Sequence, residues 1–160
     1  MLRLMLRGNT SIDPTNLPPL PPGRSEIDVS ADYLFRIRQA VRTALQKTLG
    51  EVFNREERNI LWCFTIPATW TDAGRTALRA SIVQAGFLRD DTDDRLHFVT
   101  ELKASLLSCW ERGLLNLKAP DAILIVDAGR STVDLIAYEV VGGNPPAVKE
   151  LTVGLGDSCG

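Results

Sequence analysis

Two aspartates, Asp127 and Asp134, bracket a short turn of mostly small and polar residues that contains Gly129, Arg130, Ser131 and Thr132. An apolar run stands on either side, Ile123-Leu-Ile-Val126 before the turn and Leu135-Ile-Ala-Tyr138 after it. The first run is continuously hydrophobic, the pattern of a strand buried on both faces. The second has the β-branched and aromatic residues of a returning strand. A carboxylate at the end of a buried strand is costly unless something satisfies it. Metal-bound water or a ring of backbone N–H groups would do so. The spacing therefore predicts a hairpin whose turn faces a phosphate–magnesium group.

The elements that must hold this hairpin are legible upstream and downstream. Residues 8–24 read as loop, ending in the stiff, polyproline-like run Leu17-Pro-Pro-Leu-Pro-Pro-Gly-Arg24. Pro19 to Arg24 also fits a PxxPxR pattern of the kind that SH3 domains bind, beside the simpler reading of a rigid connector. A helix is predicted over 31–49, with Ser30 as N-cap and Gly50 as stop. Its apolar stripe would be Tyr33, Ile37, Val41 and Leu45, widened by Leu34 and Ala44, leaving Arg36, Arg38, Arg42 and Lys47 mostly as a solvated face. A strand over 60–66 closes at Pro67, and a helix capped by Thr71 ends near Gly86. The four aspartates among residues 90–94 lack the glycine and distal glutamate of a calcium loop and read as solvated. Leu96–Val99 alternates like a strand, and places the single histidine, His97, as a strand residue without catalytic meaning. A further helix starts at Thr100 or Glu101 and runs to Gly113. After the hairpin, Gly142-Gly-Asn-Pro-Pro146 signals a turn and 147–153 a third strand. Alternating helices and strands thus give way to an antiparallel meander, with no internal repeat.

Composition narrows the function classes. The chain has 160 residues, 44% of them hydrophobic and 24% charged, enough apolar material for a core. A formal net charge of −2 argues against a nucleic-acid binder that depends on a broad basic surface. No apolar run reaches the roughly 20 residues that cross a bilayer, and Met1–Arg7 is too short and too broken by arginine for a signal peptide. Cys63, Cys109 and Cys159 are odd in number and widely spaced, like thiols of a reducing compartment. A cytoplasmic location is the expectation.

Four segments together resemble the actin-like ATPase domain of the seventy-kilodalton heat-shock chaperone family, in a divergent cytosolic branch. Phe64-Thr-Ile-Pro-Ala-Thr-Trp70 is similar to the family's T-V-P-A strand end. Thr100-Glu-Leu-Lys-Ala-Ser-Leu106 resembles its E-P-x-A-A-A helix start, with Leu102 and Lys103 replacing the usual residues. Asp127-Ala-Gly-Arg-Ser-Thr-Val-Asp134 is similar to the second phosphate motif, D-x-G-G-G-T-x-D. Gly156-Asp-Ser-Cys-Gly160 looks like the start of a glycine-rich strand-to-helix turn, and Leu17–Leu34 also looks like that branch.

The resemblance implies an α/β fold: an incomplete actin-like (ribonuclease-H-like) ATPase, comprising the end of lobe I plus the opening β-meander of lobe II. On that plan residues 1–24 are an N-terminal remnant and proline-rich connector, 25–119 the end of the first lobe, and 120–160 the start of the second. The implied cofactor is ATP or ADP with Mg. Asp127 would hold magnesium through water. Gly129, Ser131 and Thr132 would aim N–H groups or hydroxyls at phosphate. Glu101 would orient the attacking water, its helix N-terminus favouring the ionised form, and Asp134 would position the hairpin or cation. Arg130 and Ser131 replace family glycines, which reshapes the turn; Arg130 either reaches phosphate itself or points into solvent.

The family's opposing phosphate hairpin and adenosine pocket have no counterpart in these residues. Association costs an estimated 4–15 kcal/mol before contacts repay it, so this polypeptide alone is expected to bind ATP very weakly or not at all, and not to hydrolyse it. The alternative is a non-catalytic interaction or scaffold module derived from the same fold, with a protein partner or client.

Overall fold

The computed structural model describes residues 18–129 and 132–158. Met1–Arg7, Leu17, Arg130, Ser131, Cys159 and Gly160 lie outside them. The described chain is mixed α/β, with four α-helices and two small sheets. The helices are α1 (Glu26–Leu49), α2 (Glu51–Glu56), α3 (Asp72–Gln84) and α4 (Glu101–Glu111). A 3-10 turn, Glu57–Asn59, follows α2. The strands are β1 (Trp62–Ile66), β2 (Leu96–Thr100), β3 (Ala122–Ala128), β4 (Thr132–Gly142), β5 (Ala147–Glu150) and β6 (Leu155–Ser158). No helix among the described residues is long and apolar enough to cross a membrane.

Contacts divide the chain into two compact units. The first is Met1–Cys63 with Trp70–His97; the second is Phe64–Thr69 with Phe98–Gly160.

In the first unit, α1 begins five residues before the expected start. Ser25, not Ser30, is the N-cap: its Oγ accepts from Asp28 N, and the Asp28 carboxylate accepts from Ser25 N at 2.8 Å. This reciprocal capping box satisfies two helix-end donors. Asp28 also accepts from Gln84 Nε2 at 2.9 Å. That bond, then those from Ser25, lowers its pKa to about 2. Ser30 is instead buried inside the helix with Ala31 and Leu34. Of the expected stripe Leu34 is buried, but Tyr33 is 61% exposed and Ile37 also faces water, which corrects the rest. The face packed against α3 lies on the earlier turns, opposite Ala77, Leu78, Ser81 and Ile82, and Ser81 Oγ lies 3.3 Å from the Ile27 carbonyl. Thr71 caps α3 as the sequence predicts, its Oγ accepting from Gly74 N. At the chain start, Pro21–Arg24 forms a hydrogen-bonded turn and does not continue as extended polyproline. Gly23, at φ +70°, supplies the left-handed step that this bend requires.

The aspartate loop is not uniformly solvated. Asp90, Asp91 and Asp94 are exposed, but Asp93 is buried. Its two oxygens accept from Arg95 Nε (2.9 Å), Arg95 Nη2 (2.6 Å) and the backbone N–H groups of Arg89 and Arg95. These bonds, the Arg95 side chain first, hold its carboxyl far below the ordinary aspartate range.

In the second unit, β3 and β4 form the expected antiparallel hairpin, and β4 pairs with β5 on its other edge. The third strand ends at Glu150, and the sequence reading missed a fourth. Leu155–Ser158 pairs with the start of β4, where the resemblance implies a glycine-rich turn. Opposed residues of an antiparallel ladder share a face. One face therefore carries Ile123, Ile125, Ile136, Tyr138 and Val140. Leu102 and Leu106 of α4 join Ile136 and Tyr138 in a core flanked by Ile123, Ile125 and Val148. The other face carries Leu124 (67% exposed), Val126 (56%) and Leu155 (64%). So β3 is an edge strand buried on one side only, contrary to the reading from its unbroken hydrophobicity.

Candidate functional site

The candidate residues are placed by the register of the second unit. Asp127 pairs opposite Asp134, on the same face as Ile125 and Ile136 but at the turn end of the sheet. The apolar core thus runs along this face until two carboxylates replace it. Gly156 of β6 lies opposite Asp134 on the other edge of β4. Its missing side chain is what the arrangement needs: a Cβ there would collide with Asp134 Oδ1 and lie 3.2 Å from Thr69 Cγ2. Two residues earlier, a Cβ on Gly154 would come within 2.7 Å of Ala68 Cβ. The Ala68–Thr69 segment and β6 therefore approach each other through a pair of glycines.

Glu101 is the first residue of α4. Thr100 caps it, accepting from Lys103 N at 3.3 Å. Its carboxyl is raised above the ordinary glutamate value, by burial first, then by Asp134 and Asp127. The helix terminus was expected to favour the ionised form. A dipole contribution of about 0.3–1 kcal/mol at a helix end is outweighed here by desolvation and two like charges. Asp134 is raised in turn, by burial and then by Asp127. The three carboxylates sense one another and lack an internal cation that would offset them among the described residues. Beside Glu101 lies a hollow of ≈ 420 Å³ lined by Thr65, Ser105, Ser108 and Cys109.

Gly129 is exposed immediately after β3, and Thr132 opens β4. Arg130 and Ser131 fall outside the described residues. Among the described residues, no three His, Cys, Asp or Glu side chains are grouped to ligate a metal directly. Three mutually repelling carboxylates at longer range nevertheless suit a hydrated divalent cation, which magnesium, reluctant to shed its waters, commonly is. His97 is exposed on β2, and Cys63 and Cys109 are free thiols.

The sequence reading did not assign a role to Gly154, or to Tyr138 as more than a strand residue. Tyr138 is buried beside Thr100, and its hydroxyl makes no well-directed hydrogen bond. Burial is the chief reason its pKa is raised. Convergence of Thr69, Glu101, Asp127, Asp134 and Gly156 in one unit is the geometric result. A scan against protein-family models finds no match for the chain, and a search of curated proteins finds none either.

Proposed function

We propose that the second unit is a nucleotide-phosphate-binding segment of the actin-like ATPase type found in seventy-kilodalton heat-shock chaperones. The observation that supports this reading most is the convergence of four separated segments on one end of one sheet. Those segments are the Pro67–Thr69 strand end, the Glu101 helix start, the Asp127–Asp134 hairpin and the Gly154–Gly156 strand. Nothing in a plain hairpin demands that a strand end, a helix start and two glycines meet its aspartates.

In this reading Asp127 and Asp134 hold a hydrated magnesium ion, which supplies charge neutralisation for the phosphates. The backbone N–H groups at Gly129 and Thr132 face phosphate oxygens from the hairpin turn, as an anion nest does. Glu101 accepts a hydrogen bond from the attacking water. Its raised pKa brings it nearer the range in which a carboxylate also takes a proton. Phosphoryl transfer depends mainly on positioning and electrostatics, and one hairpin grips the phosphates from one side only. Each charge-assisted hydrogen bond contributes about 1.5–3 kcal/mol, which does not clearly exceed the association cost. The polypeptide by itself therefore binds Mg·ATP very weakly or not at all, and does not turn it over.

Calorimetric titration of the purified chain with Mg²⁺ and with Mg·ATP tests this. Weak Mg²⁺-dependent binding that disappears in Asp127→Asn is the expected result. A micromolar dissociation constant would overturn the weak-binding part, and binding indifferent to Asp127→Asn would overturn the site.

A non-catalytic module derived from the same fold is the second reading. Exposed Leu124, Val126 and Leu155 on the sheet's other face favour it. Its functions would be insensitive to Asp127→Asn.

A further inference from the structure

The first unit contains a cavity of ≈ 700 Å³ that no part of the nucleotide reading uses. Arg38 and Arg42 stand one turn apart on α1, so both side chains leave the same helix face. Arg58 comes from the 3-10 turn, Arg89 from the segment after α3, and Arg95 from just before β2. All five arginines line the cavity, against a single lining carboxylate, Glu57. The chain as a whole is acidic, at −2, so this is a local inversion of charge.

The internal partners do not neutralise it. Arg95 is fully engaged: Nε and Nη2 donate to Asp93, and Nη1 donates to the Arg58 carbonyl at 2.8 Å. It serves as a structural post. Glu57 is shared between Arg42, whose Nη2 donates to Oε2 at 3.0 Å, and Arg38, whose Nη2 lies 3.6 Å from Oε1. One carboxylate thus faces two guanidinium groups. Arg42 Nε is buried and lies 2.5 Å from Glu57 Oε1, so Arg42 engages both oxygens of that carboxylate and leaves Arg38 with the weaker share. Arg89 is largely exposed, and its Nε reaches only 3.5 Å from Asp93 Oδ2. No carboxylate among the described residues pairs with the exposed Arg58. Other acids nearby include Glu56, Asp90 and Asp94; Glu56 accepts from Asn59 Nδ2 and Arg55 Nε, and Asp90 accepts from Thr92 N and Oγ1. The sequence reading of Arg38 and Arg42 as a solvated face is corrected: both are half-buried in a cavity wall.

The cavity also has an apolar side. Trp62 meets Phe87 edge-to-face, with ring centroids 4.7 Å apart and planes at 88°. Leu88 is buried beside them. The Arg38 guanidinium lies against Gly86, in ordinary contact distance of where a Cβ would stand. Excess guanidinium forks and an aromatic wall define the chemistry. Arginine forks match the paired oxygens of phosphate and carboxylate, and ligand sites combine apolar walls with a few convergent polar groups.

We propose that this cavity binds a small organic polyanion, one bearing a phosphate or paired carboxylates next to an apolar body. Arg38, Arg42 and Arg58 hold the acidic end and Trp62 packs against the rest.

The test uses the full chain without magnesium, which separates it from the hairpin site. Inorganic pyrophosphate and citrate are titrated by calorimetry at moderate salt, one probe for each oxyanion class. Saturable binding of one or both is expected. Arg38→Gln and Arg58→Gln should each weaken it about tenfold or more, the loss of one charge-assisted contact. Asp127→Asn should leave it unchanged. Arg58→Gln keeps the test decisive if Arg38→Gln fails to fold, because the Arg58 side chain is exposed and its structural contact is through the backbone carbonyl. Absence of saturable binding by both probes overturns the proposal. So does binding unaltered in Arg58→Gln and in any folded Arg38→Gln. The stronger of the two probes assigns the acidic end as phosphate or carboxylate.

Discussion

Asp93 and Asp134 are both aspartates withdrawn from water, and their acidities move in opposite directions. Asp93 receives hydrogen bonds on both oxygens from a guanidinium and two backbone N–H groups, and its pKa falls far below the usual range. Asp134 is partly buried with Asp127 opposite it, and its pKa rises, by burial first and then by the Asp127 charge. The first carboxylate is completed by its own chain. The second is left with a deficit that an external cation would fill. Burial is common to both, so the partner set and not burial separates a structural carboxylate from a candidate site.

Replacing Asp93 by Asn should have the largest effect. Arg95 would keep its charge in a half-buried place with its main partner gone, the costly way to break such a pair. The largest fall in melting temperature of these substitutions is expected, with accelerated amide exchange over 89–95. Because the Asp93 pKa is lowered on folding, its stabilisation is present above the ordinary aspartate value. It disappears only as the pH falls through the much lower folded value. Protection of that loop should therefore survive mild acidification; loss of protection near pH 4 would contradict the contrast.

Gly156→Ala comes next. The added methyl meets the Asp134 carboxylate and Thr69, and overpacking of this kind costs about 1–3 kcal/mol. Denaturant unfolding should show that loss, and Asp134→Ala in the same chain should recover part of it because the two sites touch.

Asp134→Asn should have the smallest effect and the opposite sign. A raised carboxyl pKa means that the folded state holds the proton more tightly than the unfolded chain. Ionisation above the folded pKa therefore opposes folding. Removing the charge should raise the melting temperature slightly at neutral pH. The gain should fade as the pH falls through the raised folded value, where the wild-type carboxyl is itself protonated. The same substitution should shrink any stabilisation by added Mg²⁺. Equal Mg²⁺ response in both proteins would remove Asp134 from the cation site.

Much of this was legible from local chemistry. Thr71 and Thr100 cap their helices because each stands just before an acidic residue with its hydroxyl placed to accept from a first-turn N–H, and Asp127 opposes Asp134 because two apolar runs flank one short turn. The errors have physical causes. The capping box Ser25–Asp28 was written in the sequence, but the spacing of Tyr33 and Ile37 drew the helix start toward Ser30. An apolar side chain at helical spacing is not obliged to be covered. The alternation hidden in Ile123–Val126 was invisible because all four residues are apolar; only pairing reveals which two face α4. The roles of Arg38 and Arg42 depend on a partner distant in sequence, Glu57; the partners of Asp93 are close by, Arg89 and Arg95, but side-chain type alone does not rank four neighbouring aspartates. β6 is short and contains a glycine, and its pairing with β4 spans a long sequence interval.

β4 acts as a ruler as well as a partner. It spans from the hairpin turn to the core without a break until the irregularity between Val140 and Gly142. Asp134 and Tyr138 sit on it four residues apart, about 13 Å at the rise of an extended strand, with both side chains on one face. Tyr138 in turn lies beside Thr100, the cap of the helix that begins with Glu101. Charge at one end and a buried phenol at the other are thus fixed to a common rod. A one-residue slip of this strand would therefore carry the aspartate and the phenol to the opposite face together, so the two places stand or fall with a single register.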